Sequence, residues 1–325
     1  MSAKILVSGV KPSGRPHIGN YFGAMKQFME LQHSYESYVF IADMHALTNV
    51  QNPRQLAENT LDVAIDYLAI GLDPKKVTLF KQSDVPLVAE LGWIFNCITT
   101  MPYLERAHAY KDARAKNKEI NVGIFDYPML MAADILLYDA DIVPTGADQK
   151  QHIEFTRDTA EKFNRLFGET FRLPEPSIPE SVGTIPGTDG RKMSKSYNNT
   201  IGLFAPDDEI AKAVMSIPTD SKGVDEPKDP DKDNVFALHK FFTEGPEFAE
   251  LRDRYQAGGI GYKESKELLI RNMSKFITPL REKRESIAKN KSDVLKVLEE
   301  GAVAAREKAN LKMDDVRAKV GFKLT

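Results

Sequence analysis

The spacing of hydrophobic positions changes along the chain, and the changes mark out its elements. Ile5 to Val10 is a short apolar run ending in the turn Lys11-Pro12-Ser13-Gly14-Arg15-Pro16, which predicts a buried strand with a loop behind it. From His17 to Gln32 the residues Ile18, Tyr21, Phe22, Met25, Phe28 and Met29 recur at spacings of three and four, which predicts one amphipathic helix. The alternation then repeats. Tyr38 to Ala42 reads as a strand. Asn52-Pro53 supplies an N-cap and first-turn proline for a helix bearing Leu56, Leu61, Ala64, Ile65 and Leu68 and stopped at Gly71. Val77 to Phe80 is a third strand, and a helical insertion follows over residues 85–138. Its first part, Val85 to Lys118, holds the single tryptophan, Trp93, beside Ile94, Phe95 and Ile98; core is the preferred reading of that cluster over a partner surface. Its second part is the apolar helix Asp126 to Tyr138. Asp141 to Thr145 is a strand and Asp148 to Phe167 a long amphipathic helix.

Strands alternating with helices in this way predict an α/β fold with a doubly wound parallel sheet, whose ligands bind beyond the carboxyl ends of the strands. After Pro206-Asp207-Asp208-Glu209 the pattern is helical to the end, broken by the charged linker Lys222 to Asp233 and the turn Gly258-Gly259-Ile260-Gly261. The expected organisation is a sheet domain over 1–205 and an all-helical domain over 206–325, with the last helix a candidate to pack back on the first domain. A length of 325 residues suits two cores.

Composition narrows the classes. With 42% hydrophobic and 28% charged residues the chain is neither disordered nor fibrous. A net charge of −3 excludes a general basic coat but leaves room for a local one. Lys263, Lys266, Arg271, Lys275, Arg281, Lys283, Arg284, Lys289 and Lys291 outnumber the acids around them, and read equally as a phosphate-backbone footprint or a solvated helix face. A single cysteine, Cys97, excludes an intrachain disulfide and a cysteine-based zinc site. The absence of a leader pattern and of a membrane-length apolar run predicts a cytoplasmic protein with no membrane partner.

Three stretches carry chemistry. Pro16-His17-Ile18-Gly19-Asn20 opens a helix, where unsatisfied amides attract anions and Gly19 lets a flat or charged ligand approach the backbone. Lys192-Met193-Ser194-Lys195-Ser196 follows the glycine-bearing Gly187-Thr188-Asp189-Gly190, a cationic loop suited to a polyphosphate. Together the two stretches resemble the paired signatures of class I aminoacyl-tRNA synthetases. The third is the helix Tyr127 to Tyr138, with a carboxylate, Asp134, in its middle. A buried carboxylate must meet a donor. With Met131 and Val143 forming a slot for an aromatic ring, an indole N–H suits it, because that group only donates and an ionised carboxylate only accepts.

Together with Val143-Pro144-Thr145-Gly146-Ala147-Asp148-Gln149, these stretches resemble the bacterial-type tryptophanyl-tRNA synthetase family. The resemblance runs from the first strand through Ser196 and less specifically into the helical tail. It implies a Rossmann-like catalytic domain, a helical anticodon-binding domain for tRNA(Trp), a homodimer built on the first domain, and L-tryptophan and ATP as substrates, with Mg²⁺ on the ATP phosphates and no protein metal site. His17, Lys192 and Lys195 are then the expected catalytic residues. Lys11, Pro12, Ser13, Gly19, Asn20, Gly146, Ala147, Asp148, Ile185 and Lys192 to Ser196 are expected to border ATP. Asp134, Tyr127, Met131, Val143 and Gln149 are expected around tryptophan. His45 reads either as a pocket residue or as an ordinary satisfied histidine. Two positions depart from the family: many members have glutamine where Lys11 stands and an aromatic where Val7 stands, which bears on substrate affinity and inhibitor response. A tyrosine-tRNA ligase of the same class and a non-catalytic RNA-binding paralogue are the alternatives.

Overall fold

The computed structural model describes residues 3–115, 119–146, 150–177 and 185–324. Five parallel strands form one sheet: β1 (Ile5–Val10), β2 (Glu36–Ile41), β3 (Val77–Lys81), β4 (Ile142–Pro144) and β5 (Glu175–Ser177), in the order β3-β2-β1-β4-β5. The order reverses between β1 and β4, so a crevice is expected beyond their carboxyl ends. β5 has no counterpart in the sequence reading. Its three residues, Glu-Pro-Ser, contain no apolar run, and the proline is tolerated because the strand lies at the sheet edge.

The helices are α1 (Ile18–Asn20), α2 (Lys26–Leu31), α3 (Asp43–Leu47), α4 (Pro53–Ile70), α5 (Leu87–Ile98), α6 (Met101–Leu104), α7 (His108–Ala115), α8 (Val122–Leu136), α9 (Lys150–Phe167), α10 (Asp207–Met215), α11 (Asn234–Phe242), α12 (Gly245–Ala257), α13 (Tyr262–Lys289) and α14 (Lys291–Lys319). Local signals set many ends. Asn52 caps α4 by accepting from the Gln55 N–H, and Gly71 ends it in a left-handed conformation. The single helix expected from His17 to Gln32 is instead three pieces, with a five-residue π-helix at Tyr21–Met25 between α1 and α2. Its apolar residues serve two cores: Phe22 packs on Phe241, Phe242 and Phe276, whereas Phe28 packs on Tyr67.

The chain forms two compact units, and they differ from a boundary at residue 205. The first comprises 1–14, 27–180 and 290–325, the second 15–26 and 181–289. In the first unit α14 lies against the edge strand β3. A Cβ on Gly301 would stand 1.9 Å from the Leu79 carbonyl oxygen, so glycine there permits backbone-to-backbone approach. Ala302, Ala305, Ala309, Met313 and Val316 are buried along the same helix. Lys312 pairs with Asp139 at 2.6 Å, and Arg317 reaches Glu90 through two bonds of 2.7 and 2.5 Å. Residues 15–26 join the second unit because the β1–α1 turn is laced to its loops: Ile18 N–H donates to the Ile201 carbonyl at 3.0 Å and Leu203 N–H to that of Pro16 at 3.0 Å.

Two expectations about surface and core change. Ile94 and Phe95 are buried, but Trp93 is 66% exposed, because it points from the opposite face of α5. On α13, Lys266 and Arg284 turn inward rather than joining the cationic surface. The Lys266 ammonium donates to the Met215 and Ile217 carbonyls at 3.0 and 2.6 Å, at the carboxyl end of α10, where a positive charge is favourable. Among the described residues no helix is long and apolar enough to cross a membrane.

Candidate active site

The first unit holds a cavity of about 490 Å³ beyond the carboxyl ends of β1, β2 and β4, within the size range of small-molecule sites. β1 contributes Val7, Ser8 and Gly9, and α8 contributes Ile124, Tyr127, Met131, Asp134 and Ile135. Lys11, His45, Thr48, Asn49, Val143 and His152 complete much of the rest. Apolar walls around a few polar groups are what an aromatic ligand with one polar edge requires.

Asp134 is 1% exposed and its carboxylate is held by two side chains. Gln82 Nε2 donates to Oδ1 at 2.8 Å and to Oδ2 at 2.9 Å, and His45 Nε2 lies 2.8 Å from Oδ2. Burial pushes this carboxyl above the usual carboxylate range, opposed by the bonds from His45 and Gln82. His45 is thus both things the sequence allowed, a cavity residue and a satisfied histidine. Tyr127 bonds through its hydroxyl to His152 Nε2, and burial pushes the phenol up to about 12. Lys11, expected beside ATP, lines this cavity. Its ammonium donates to Thr48 Oγ1 at 3.2 Å, and the Asn49 amide, turned so that its oxygen faces the ammonium, accepts at 2.9 Å. Burial lowers the Lys11 pKa.

The second unit contains His17, Gly19, Asn20, Ile185 and the loop from Lys192 to Ser196. The loop is a hairpin-like turn. Gly187 N–H donates to the Arg191 carbonyl at 2.7 Å, Met193 N–H to that of Ile185 at 2.9 Å, and Pro186 and Lys192 form an antiparallel bridge. Asn199, 2% exposed, organises it from beneath. Its oxygen accepts the Ser194 N–H at 2.8 Å, and its nitrogen donates to Asp189 Oδ1 at 2.7 Å and to the Lys192 carbonyl at 3.1 Å. Asp189 in turn accepts from the Arg191 backbone and guanidinium. Gly187 must lack a side chain, since a Cβ would meet Asn199 Nδ2 at 2.3 Å.

His17 stands at the start of α1, where its N–H donates to Asn20 Oδ1 at 3.0 Å. Burial, reinforced by the Lys195 charge, lowers its pKa to about 4, so it is a neutral imidazole at pH 7. Among the described residues its Nδ1 is buried without a hydrogen-bond partner. A Cβ on Gly19 would lie 2.9 Å from that nitrogen and 3.2 Å from the Met193 Cβ, so glycine keeps the space between the two signatures open.

Pro12, Ser13 and Gly146 lie in the turns after β1 and β4, while Ala147, Asp148 and Gln149 fall outside the described residues. The structure therefore gathers Asp134, Tyr127, Met131, Val143, His45 and Lys11 in one cavity. It gathers His17 and Gly19 with the lysine loop in the other unit. Sequence reasoning missed Gln82, Thr48, His152 and Asn199. Gln82 carried one faint signal, a polar residue directly after a buried strand; Asn199, beside Asn198 in an exposed-looking run, carried none.

The family profile described as tRNA synthetases class I (W and Y) matches residues 2–278. The chain is 50% identical over 317 residues to the tryptophan–tRNA ligase of Fusobacterium nucleatum subsp. nucleatum, covering 97% of each chain. It is 47% identical to that of Rhodopirellula baltica, covering 98% of this chain and 99% of the relative. Among solved structures it resembles the tryptophanyl-tRNA synthetase of Campylobacter jejuni complexed with ADP and tryptophan, with a TM-score of 0.92 and 44% identity over 98% of this chain and 99% of that one. On a profile that spans most of its length, and on relatives this similar across nearly all of it, the chain belongs to the class I tRNA synthetases of the W and Y group.

Proposed function

We propose that the chain activates L-tryptophan with ATP and then transfers the tryptophan to tRNA(Trp). In the first step a tryptophan carboxylate oxygen attacks the ATP α-phosphorus; the bond to the bridging oxygen breaks, leaving tryptophanyl-adenylate and pyrophosphate. In the second a terminal ribose hydroxyl of the tRNA attacks the adenylate carbonyl, and AMP leaves. The observation that carries this reading is Asp134, a buried carboxylate in an apolar, ring-sized cavity. A purely donating indole N–H matches it. Tyr127, Met131 and Val143 surround the ring, Gln149 reads the polar end of the amino acid, and the Lys11 ammonium at the cavity wall suits its carboxylate.

ATP is bordered by Pro12, Ser13, Gly19, Asn20, Gly146, Ala147, Asp148 and Ile185. His17 acts as a neutral hydrogen-bond donor, and Lys192 and Lys195 balance charge that shifts towards pyrophosphate, with Met193, Ser194 and Ser196 shaping the loop that carries them. Catalysis is then positioning plus electrostatic stabilisation, with no covalent enzyme intermediate. Mg²⁺ arrives as part of the nucleotide substrate. Such an ion takes chiefly phosphate oxygens and water as its ligands.

The helical unit takes the tRNA anticodon arm, with the exposed Lys275, Lys283 and Lys289 of α13 on its phosphates. The protein works in the cytoplasm as a homodimer whose interface includes Trp93, an exposed tryptophan one turn from exposed Cys97 on α5. Pyrophosphate exchange measured with each of the twenty amino acids tests the reading. Exchange with tryptophan alone is expected; exchange with tyrosine alone, or none at all, contradicts it.

A further inference from the structure

We propose that Gln82, which no part of the reading above uses, is the positioning residue that sets Asp134 for its substrate. The proposal rests on the tryptophan reading and deepens it. Gln82 follows β3 at the start of a 3-10 turn and is fully buried. Its carbonyl oxygen accepts the backbone N–H groups of Met44 and His45 at 3.1 and 3.3 Å. Those donors leave the amide only one orientation, with its nitrogen facing the Asp134 carboxylate, 2.8 Å from Oδ1 and 2.9 Å from Oδ2. The turn itself is clamped, because Asp43 accepts from the Ser83 backbone at 2.9 Å and from its hydroxyl at 2.5 Å.

The hydrogen-bond pattern defines the role. The Gln82 oxygen accepts from two backbone N–H groups and its amide nitrogen shares a hydrogen bond between both Asp134 oxygens. Gln82 is fully buried and stands behind the cavity wall that Asp134 forms, so it acts through Asp134. An ionised carboxylate accepts several hydrogen bonds; the Gln82 amide nitrogen is shared between its two oxygens and His45 Nε2 stands on Oδ2. Among the described residues Oδ1 has the shared Gln82 contact alone, while Oδ2 also meets His45. Gln82 therefore holds the carboxylate as an acceptor with Oδ1 the oxygen better placed to take a ligand donor. That is the requirement of one indole N–H, and it rejects an aromatic side chain with no donor.

Gln82→Met removes both amide donors and keeps the volume close. Asp134 then loses its fixed plane, so the KM for tryptophan in pyrophosphate exchange is expected to rise roughly 10- to 100-fold, while kcat and the KM for ATP stay within about threefold of wild type, the pattern of lost ground-state binding. Gln82→Glu is nearly isosteric and still accepts from Met44 and His45. It can donate to Asp134 only while protonated, so its KM for tryptophan is expected to climb at least ~10-fold between about pH 6 and 9 against a flat wild-type profile, as for any close carboxyl pair. A folded Gln82→Met variant with wild-type KM for tryptophan overturns the proposal. If that variant does not fold, a Gln82→Glu profile that tracks wild type across the same range overturns it. Wild-type exchange with tryptophan is the control: its absence overturns the underlying reading together with the proposal, whereas wild-type exchange with unaffected variants overturns the proposal alone.

Discussion

Two lysines and two histidines show how differently single residues are used here. Lys266 is consumed by structure, capping α10, whereas Lys195 stands on the loop that Asn199 supports and sends its charge towards His17. Lys195→Ala is expected to lower the rate of adenylate formation about 100-fold or more, a typical cost for removing a group that stabilises developing charge, with tryptophan affinity nearly unchanged. Single-turnover kinetics beside equilibrium tryptophan binding check this, and comparable losses in both would contradict the role. His239 is fully buried, with Nδ1 2.7 Å from Thr243 Oγ1 and Nε2 3.0 Å from the Ser265 carbonyl. Burial lowers its pKa to about 4. The folded state thus prefers the neutral ring and the unfolded chain binds the proton first. The stability this adds is complete above the ordinary value of about 6.5 and is lost as pH falls towards 4, about 3 kcal/mol in all. Hydrogen exchange of the α11 amides between about pH 7 and 4.5 should show this loss, and His239→Gln should remove the contribution.

Elements were legible where a periodic pattern and a cap agreed, as in β1 and in α4 between Asn52 and Gly71. They were illegible where tertiary demands overrode the pattern. The run from His17 to Gln32 reads as one helix because its apolar spacing is regular, yet its aromatic residues answer to two cores and a π-helix intervenes. β5 has no hydrophobic signature because pairing with β4, not side-chain burial, defines it. The candidate site divides in the same way. Asp134 and the lysine loop announce themselves by chemistry or motif, while Gln82 and Asn199 matter through bonds to residues distant or unremarkable in sequence. At this scale α14 gives a sharp test. Gly301→Ala would place a methyl group against the Leu79 carbonyl, so the helix must lift from β3, at a cost of about 3 kcal/mol. A shifted urea midpoint with an unchanged slope is the expected result.

At the scale of the whole molecule, the chain is not divided where its secondary-structure pattern changes. The last helix belongs with the sheet and the first signature with the helical unit, so each unit is assembled from segments far apart in sequence. This explains why a boundary at residue 205, natural from the pattern, misses the contact groups. The proposed homodimer adds a prediction at the same scale. Trp93, too exposed for a core residue, is expected to lie at the dimer interface; Trp93→Glu should convert a dimer to a monomer in sedimentation equilibrium, and an unchanged mass would remove this face from the interface.

If Asp134 receives the donor of an indole ring, replacing that donor must weaken the substrate. In pyrophosphate exchange, the tryptophan analogue with sulfur in place of the indole nitrogen keeps the shape and loses the N–H. The expected kcat/KM is lower by roughly 100-fold or more for the analogue, since a site built around a substrate donor is left with an unpaired buried acceptor. Values within a few-fold of tryptophan would contradict it.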